Sequence, residues 1–449
     1  MVLTLFYFVL ALMLLIFVHE YGHFIVARCC QVKVLRFSFG FGKVLASWHG
    51  KHGTEYAISL FPLGGYVKML DESEGEVLKE ERHLAFNNKP VWMRMAIVLA
   101  GPLFNLLFAF VALWLMLVIG IQSLAPIIAE VKPGSIAYQM GLTSQEEIIS
   151  LDSQKIESWR DFQYVLMPLL GTTDPVPMTV RSLLNHEQKT LLFPVGKWHL
   201  DVKKPDLLDG FGILPFVPSI PPIVGEVMKE SPAQMAGLQV GDRIVALNDQ
   251  KINDWLDLVD FVRQHPKQSL TLTIKRHNKT MHILINAIGE SVDGKKEGYL
   301  GVRSQKMDWP KGWLRLKQET PIHAIPIAFG ETLMLTKASF VLIGRLVMGQ
   351  LPIQSISGPV GIARGAGESG RSGLSYYLSF LAVVSISLGV LNILPIPMLD
   401  GGHLLYYLIE IVRRRPLSEG LKTMGTYLGL GLLFTLMVIA LHNDILGLT

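Results

Sequence analysis

The residues of this 449-residue sequence most able to do chemistry are His19, Glu20 and His23, in the stretch FVHEYGHFIVARCC that begins at Phe17. Histidines at positions i and i+4 of a helix lie one turn apart on the same side, so both rings can reach one metal ion. Glu20 lies beside them and can hold a water molecule without binding the metal. Residues 2–18 carry no charge, so this chemistry is expected inside an apolar helix of membrane length.

The spacing His-Glu-x-x-His predicts a zinc site that hydrolyses a bond. In this pattern zinc lowers the pKa of water and the glutamate acts as general base. Two histidines leave zinc short of a third protein ligand, and a carboxylate is a usual choice. The candidate is Asp400, in LNILPIPMLDGGH at residues 391–403, because an ionisable residue at membrane depth is a functional candidate. His403 is the rival ligand, and the structural alternative for Asp400 is an ordinary Asp-Gly-Gly turn.

The composition predicts an integral membrane protein with soluble parts. Half of the residues are hydrophobic and 17% are charged, with a mean hydropathy of +0.37. The net charge of +4 comes with no basic block that would indicate nucleic-acid binding, and the adjacent Cys29 and Cys30 argue against a disulfide framework. Four stretches have the length and apolarity of membrane spans. These four transmembrane helices are expected at residues 1–28, 95–120, 374–400 and 424–442.

The basic residues predict the orientation of these spans. The segments 29–94 and 401–423 are rich in Lys and Arg, which places both in the cytosol and both termini outside. The first span lacks a basic leading segment and a small-residue cleavage site, so it is not expected to be a simple signal peptide. The first and third spans then run in the same direction. His19 and Asp400 are therefore expected at the same depth, near the cytosolic face.

An internal repeat with an offset of 96 residues organises the extracytoplasmic segment. VKPGSIAYQMGL from Val131 aligns with VMKESPAQMAGL from Val227, and the matches continue through Trp159 and Trp255. Two domains are predicted, at 121–220 and 221–309, each with short β-strands and one longer helix. The first copy has Gln-Glu at 145–146 where the second has Gly-Asp at 241–242.

Two further segments are predicted to contact the membrane surface. Region 310–373 contains an apolar stretch at 321–349 whose three charges fall on one side of a helix, which indicates an amphipathic helix on the membrane. A fifth span is the alternative. Residues 54–69, TEYAISLFPLGGYVKM, alternate in part and are predicted to form a membrane-associated β-hairpin, with an ordinary cytosolic hairpin as the alternative.

Six motifs together resemble the site-two protease family of intramembrane zinc metalloproteases, over nearly the whole chain. They are HEYGH in the first span, FGFGKV at 39–44, FPLGGYVKM at 61–69, AGPLFN at 100–105, SGPVGIA at 357–363 and NILPIPMLDGGH at 392–403.

The resemblance implies a role for several residues. One zinc ion per chain would be bound by His19, His23 and Asp400, with Glu20 as the catalytic base. A membrane-associated β element is implied beside the zinc. The residues then expected to contact substrate are Asn392, Pro395, Pro397, Gly64, Gly65 and Tyr66.

The repeats resemble PDZ domains of the bacterial protease type, and the resemblance favours tandem domains that exclude substrates with bulky outer parts. Peptide capture and a folded spacer are the alternatives. The family implies cleavage of single-span proteins in the bacterial inner membrane. Its substrates would be an anti-sigma factor first trimmed by another protease, and remnant signal peptides.

Two other classes of protein compete with this interpretation. A metal transporter would need polar residues on several spans, but the second and fourth spans have little beyond Asn105, Thr426 and Thr435. A non-catalytic PDZ receptor would not need Glu20 beside the two histidines.

Overall fold

The computed structural model describes residues 2–73, 75–198, 207–216, 220–292, 295–305, 310–351 and 353–446. The helices among them are α1 Val2–Cys29, α2 Val91–Ile119, α3 Ile136–Gln139, α4 Trp159–Leu166, α5 Leu207–Phe211, α6 Pro232–Met235, α7 Trp255–Gln264, α8 Pro321–Val347, α9 Pro359–Ser372, α10 Leu374–Ile393, α11 Asp400–Arg413 and α12 Glu419–Leu446.

The strands belong to the segment between α1 and α2, to the two repeats and to the segment just after the second repeat. They are β1 Val34–His49, β2 Glu55–Met69, β3 Ile121–Leu124, β4 Ile128–Val131, β5 Glu146–Leu151, β6 Gln154–Lys155, β7 Val176–Ser182, β8 Gln188–Phe193, β9 Ile213–Pro215, β10 Val224–Val227, β11 Arg243–Leu247, β12 Gln250–Lys251, β13 Ser269–Arg276, β14 Lys279–Asn286, β15 Ile288–Val292, β16 Lys295–Tyr299, β17 Val302–Ser304 and β18 Leu314–Lys317.

Five helices in the described part of the chain are long and apolar enough to cross a membrane: α1, α2, α8, α10 and α12. The chain is therefore a multi-pass membrane protein with β-rich regions. The third expected span, 374–400, is shorter than predicted, since α10 ends at Ile393. Pro395 and Pro397 follow at once, and proline has no N–H to continue a helix. The expected loop 401–423 is also largely helical, because α11 begins at Asp400 and continues to Arg413.

Helix α2 is the central element of the membrane region, with α1, α8, α10 and α11 packed around it. Small residues permit the close contacts. A Cβ on Gly22 of α1 would lie 2.6 Å from the Ala100 carbonyl oxygen, and one on Gly389 of α10 would lie 3.0 Å from the Pro102 oxygen. The hydroxyl of Ser385 donates to the backbone oxygen of Asn105 at 2.7 Å, which fixes α10 against α2.

The predicted β structure at 54–69 is present, but the expected hairpin within that segment is not formed. Both of its halves pair with β1 instead, so that residues 65–69, 34–39, 55–59 and 44–49 lie side by side in that order. Strand β1 can turn back because Gly40 and Gly42 adopt φ of 89° and 87°, which side chains rarely allow. Segment 65–69 therefore forms one edge of this sheet, and the sheet packs against α1.

The first repeat has a four-stranded sheet in the order β6-β5-β7-β8. Its core contains Phe162, Phe193 and Phe211, all fully buried. The turn between β5 and β6 has positive φ at Asp152 and Ser153, as a tight hairpin requires. Helix α4 contacts the membrane helices directly, since the Tyr164 hydroxyl lies 3.4 Å from that of Ser379 in α10.

The second repeat repeats this topology, with the sheet order β12-β11-β13-β14. Its β11–β12 turn has positive φ at Asn248 and Asp249, 96 residues after the corresponding pair in the first repeat. Residues 215–314 form a compact unit of their own, whereas the first repeat clusters with the membrane helices.

Helix α8 has two different faces. One face packs against α2 and α10 through Ala324, Ala328 and Leu335. Further along, Met334 and Leu342 pack against the core of the first repeat, and Glu331 pairs with Lys317 at 2.9 Å. The other face exposes large apolar side chains, which are Ile322, Ile325, Phe329, Leu333, Phe340 and Val347.

Candidate metal centre

Three side chains from α1 and α11 converge on one point beside α2. His19 Nε2 lies 3.1 Å from Asp400 Oδ2 and 3.2 Å from His23 Nε2, and His23 Nε2 lies 3.5 Å from Asp400 Oδ2. Among the described residues this is the group of His, Cys, Asp and Glu side chains that could hold a metal ion. The structure thus brings together the three residues that the sequence predicts as ligands, whereas His403 is outside the group.

The hydrogen bonds of the two imidazoles leave their Nε2 atoms free to bind a metal. His23 Nδ1 donates to the carbonyl oxygen of Ile97 at 2.8 Å, so the proton of a neutral ring is on Nδ1. His19 Nδ1 lies 3.1 Å from the side-chain amide of Asn105. With the NH2 group turned toward the ring, Asn105 Oδ1 is buried without a partner among the described residues. Half a turn of the amide lets Oδ1 accept a hydrogen bond from His19 Nδ1–H, the usual support of a metal-binding histidine.

The three facing atoms fit zinc. Asp400 Oδ2 is buried and has no hydrogen-bond partner in the described part of the chain, so it meets the imidazole lone pairs with no proton between them. Ligands about 2.0–2.1 Å from a tetrahedral zinc are separated by about 3.3–3.4 Å from one another. The observed separations of 3.1–3.5 Å match that spacing. Two imidazoles and one carboxylate leave a fourth position open, as in catalytic zinc sites.

Two glycine-containing motifs allow the ligands to approach so closely. A Cβ on Gly101 of α2 would overlap His23 Nε2 and would lie 2.7 Å from His19 Cε1. On α11, a Cβ on Gly401 would overlap the carbonyl oxygens of Ile393 and Leu394. Steric contacts therefore explain the glycines of the AGPLFN and LDGG motifs. Any side chain at Gly101 or Gly401 would push α2 or α11 away from the histidines.

Glu20 faces the same site from α1. Its carboxylate is within hydrogen-bonding reach of the Val67 amide, on the edge segment 65–69. It lines a cavity of about 220 Å3 together with His19, Asn105 and Asn392. Gly64 and Gly65 line the same cavity, and a Cβ on Gly65 would lie 3.2 Å from Glu20 Cγ.

The predicted substrate residues divide into two groups. Asn392, Gly64 and Gly65 line the cavity beside Glu20. Tyr66 lies one residue further along, where its hydroxyl accepts a hydrogen bond from Arg36 and its ring stacks on Phe41.

The two prolines of the predicted group also lie away from the cavity lining. Pro397 packs against Gly425 and Gly429 of α12, and Pro395 is exposed. Tyr66, Pro395 and Pro397 are therefore not among the residues that line the cavity beside Glu20.

The structure adds two residues to which the sequence analysis assigned no role, Gly101 and Asn105. Both belong to AGPLFN, and they are four residues apart, so they lie on one face of α2. The signal in the sequence was a glycine and an amide at helical spacing in an apolar span. The amide is the informative member, because a polar side chain at membrane depth needs a partner.

Comparison with known proteins agrees with this site. The profile of peptidase family M50 matches residues 7–436. The chain belongs to this family. It is an intramembrane zinc metalloprotease of the site-two type, which favours the protease over the metal transporter and the PDZ receptor.

Similar proteins match almost end to end. The regulator of sigma-E protease RseP of Salmonella typhimurium is 40% identical over 437 residues, which cover 97% of each chain. Protease RseP of Yersinia pestis is 42% identical over 439 residues, again covering 97% of each chain. Among solved structures, a PDZ domain of a Listeria monocytogenes protein is similar to 20% of this chain and 92% of its own, with 18% identity and a TM-score of 0.17.

Proposed function

We propose that this protease cuts single-span membrane proteins within or near their spans, on the cytosolic side, with His19, His23 and Asp400 as zinc ligands and Glu20 as the base. The observation that carries the proposal is the placement of Glu20. It lies beside three atoms at tetrahedral spacing, and it lines a cavity together with Gly64 and Gly65, which lie at and next to the edge of a sheet.

The residues of the site suggest how each step is served. Zinc, when bound, supplies Lewis-acid activation of water and of the peptide carbonyl. Glu20 takes a proton from the attacking water and returns it to the amine nitrogen of the leaving half. His23 and His19 keep their orientation through Ile97 and Asn105. Asn392 lines the cavity, where its amide can hydrogen-bond to the substrate backbone.

A helical substrate must unwind before its backbone can reach Glu20, and segment 65–69 can supply the missing hydrogen bonds. This segment pairs with residues 34–39 on one side only. Its other side is the one from which the Val67 amide reaches toward Glu20. An extended peptide that adds to this edge as a further strand would lie beside the carboxylate.

We further propose four spans, α1, α2, α10 and α12, with both termini and the two repeats outside. Helix α8 would then lie along the outer membrane surface. Supporting this, Trp114 near the end of α2 donates to the Pro321 oxygen at 2.8 Å, at the start of α8. Beyond that point α8 packs against the core of the first repeat through Met334 and Leu342. Contact with both the end of α2 and the first repeat favours a helix that lies at the membrane surface.

The two repeats would be PDZ domains that filter substrates by the size of their outer parts. In support, both copies have one sheet topology, and the second is a compact unit of its own. The Salmonella relative is named as a regulator of sigma-E protease. By analogy the substrates here would be an anti-sigma factor, first trimmed by another protease, and remnant signal peptides in the bacterial inner membrane.

A reconstituted assay tests the proposal. The purified protein in liposomes receives a single-span substrate with a short outer tail, and mass spectrometry locates the cut. We expect cleavage within or next to the cytosolic half of the span. Cleavage confined to soluble tails would contradict the proposal.

The size filter has its own test with a matched substrate pair. The same span carries either a short outer tail or a folded outer domain, with an identical cytosolic sequence. We expect the folded domain to lower the cleavage rate. Equal rates for the two substrates would show that the repeats do not act as a filter.

A further inference from the structure

One face of α2 contacts both predicted histidine ligands and the helix that carries Asp400, although α2 itself provides none of the predicted ligands. Arg94, Ile97, Gly101 and Asn105 follow one another at intervals of three, four and four residues. At 3.6 residues per turn they fall within about 80° around the helix. Ile97 accepts the hydrogen bond of His23, Gly101 makes room for both rings, and Asn105 contacts His19. The remaining member, Arg94, contacts neither histidine.

Arg94 instead binds the helix that carries Asp400. Its NH2 nitrogen lies 2.7 Å from Glu410 Oε1 and its NH1 nitrogen lies 3.3 Å from Glu410 Oε2, a two-point contact between guanidinium and carboxylate. The guanidinium also lies over the ring of Tyr407, with its central carbon 4.9 Å from the ring centre. Both charged side chains are largely shielded from solvent, with exposures of 14% and 17%.

This contact bears on Asp400 because it joins α11, the helix that begins at Asp400, to α2. Asp400 is the first residue of α11, and the segment that joins it to α10 is non-helical. Tyr407 and Glu410 follow Asp400 by about two and three turns on one side of α11, within about 80°. A planar two-point contact fixes both distance and angle, unlike a single hydrogen bond.

We propose that Arg94 is a positioning residue for zinc: its contact with Glu410 and Tyr407 sets α11 so that Asp400 meets His19 and His23 at ligand spacing. This inference rests on the proposed role of Asp400 as a ligand. With Arg94, one stripe on α2 aligns both ligand-bearing helices. The competing explanation is that the Arg94–Glu410 pair only anchors α2 at the cytosolic membrane boundary, with no effect on the metal.

The variants Arg94→Ala, Arg94→Lys and Glu410→Gln separate the two explanations. Each is purified in detergent with its zinc content measured, and its zinc affinity is determined by competition with a chelator. Removal of a group that orients metal ligands lowers metal affinity about 10–100-fold. We expect a loss of at least about 10-fold in Arg94→Ala and Glu410→Gln, and a smaller loss in Arg94→Lys, which keeps the charge but not the fork. The kcat should fall with the affinity while KM changes little.

A matched control exists in the second repeat, where Arg276 makes a similar two-point contact with Asp242 at 2.7 Å for each hydrogen bond. Arg276→Ala should leave the zinc affinity and kcat unchanged. Unchanged zinc affinity in folded Arg94→Ala or Glu410→Gln would overturn the inference. If Arg94→Ala does not fold, Glu410→Gln decides, since it keeps the shape of the side chain.

The wild type and Asp400→Ala distinguish a failure of this inference from a failure of the proposed function. A wild type that binds no zinc, or Asp400→Ala with wild-type affinity, would refute the ligand assignment itself. Zinc binding that depends on Asp400 but not on Arg94 would refute only the positioning role.

Discussion

The metal centre and the second repeat both bury ionisable groups, but only the second repeat pairs its charges internally. Asp242 is almost fully buried, and two hydrogen bonds from Arg276, 34 residues later in the sequence, satisfy its carboxylate. At the metal centre, Asp400 and His19 come from opposite ends of the chain, and three electron-pair donors face one another without a proton. The second repeat is therefore complete as folded, whereas the metal centre needs a cation.

The activity should therefore be more sensitive to substitutions at the metal centre than to substitutions in the second repeat. Because α2 contacts both histidines and the helix that carries Asp400, small changes of shape at α2 should have large effects on the metal centre. The second repeat is a compact unit with its own core, so its variants should change stability and leave the chemistry alone.

Gly101→Ala should disable the metal centre. Its Cβ would overlap His23 Nε2 and press on His19 Cε1, so both imidazole rings would have to leave their observed positions. We expect zinc affinity and cleavage to fall by more than about 100-fold, beyond the usual effect of changing a supporting residue. Zinc titration and the liposome assay measure both quantities.

The control for this variant is Gly330→Ala in α8, where a Cβ would meet nothing within 4 Å. It should keep wild-type zinc content and activity. A Gly101→Ala protein with normal zinc affinity would show that the close approach at α2 is unimportant.

Asn105→Ala should have an intermediate effect, because it removes the partner of His19 Nδ1 but adds no bulk. We expect zinc affinity to fall about 10–100-fold. Asn105→Asp should retain more affinity than Asn105→Ala, since a carboxylate oxygen can still accept a hydrogen bond from His19 Nδ1–H. Equal affinity of Asn105→Ala and wild type would mean that His19 is oriented by other contacts.

Removal of zinc should loosen α11 and leave the second repeat unaffected. Hydrogen exchange followed by peptide mass spectrometry compares the zinc-loaded and chelated protein. Peptides from α11 should exchange faster after chelation, because Asp400 loses its link to α1, while peptides from 224–292 should keep their rates. Faster exchange in both regions would show that zinc also stabilises the second repeat.

Acid should lower the stability of the second repeat, and this effect should be smaller than those expected at the metal centre. Burial disfavours the charge on Asp242, but Arg276 outweighs burial and holds the pKa of the carboxyl below its usual value. Because the folded-state pKa is the lower one, the stabilisation is present above the unfolded value of about 3.9 and is lost as the pH falls below it. We expect the repeat to lose about 2 kcal/mol of stability at most.

Limited proteolysis of the second repeat between pH 5 and pH 3 measures this effect. Arg276→Ala should be cleaved faster at pH 5 and should show a weaker dependence on pH than the wild type. An unchanged pH dependence would assign the acid sensitivity to other groups.

Local patterns allowed much of this architecture to be predicted from the sequence. The apolar runs gave four of the five membrane-length helices, and the offset of 96 residues anticipated two sheets of the same order. The grouping of His19, His23 and Asp400 could be anticipated because the first and third spans were expected to run in the same direction. That expectation placed Asp400 at the depth of His19 despite their separation in the chain.

Contacts between elements that are distant in the sequence could not be predicted from local sequence patterns. The pairing of 54–69 with β1 depends on the turn at Gly40 and Gly42, whereas the local alternation suggested a hairpin within the segment. Arg94 looked like one more cytosolic charge, because its partner Glu410 lies on a helix that was expected to be a loop. The role of Gly101 depends on how closely α1 and α2 pack, which no single-segment pattern records.

The Glu20→Gln variant decides whether Glu20 acts on a zinc site inside a membrane helix. The wild type and the variant are purified, their bound zinc is measured, and each is incubated with a single-span substrate. We expect about one zinc per chain in both proteins and cleavage by the wild type alone. Cleavage by Glu20→Gln at the wild-type rate would show that Glu20 is not the catalytic base. A wild type that cleaves without zinc would show that zinc is not required.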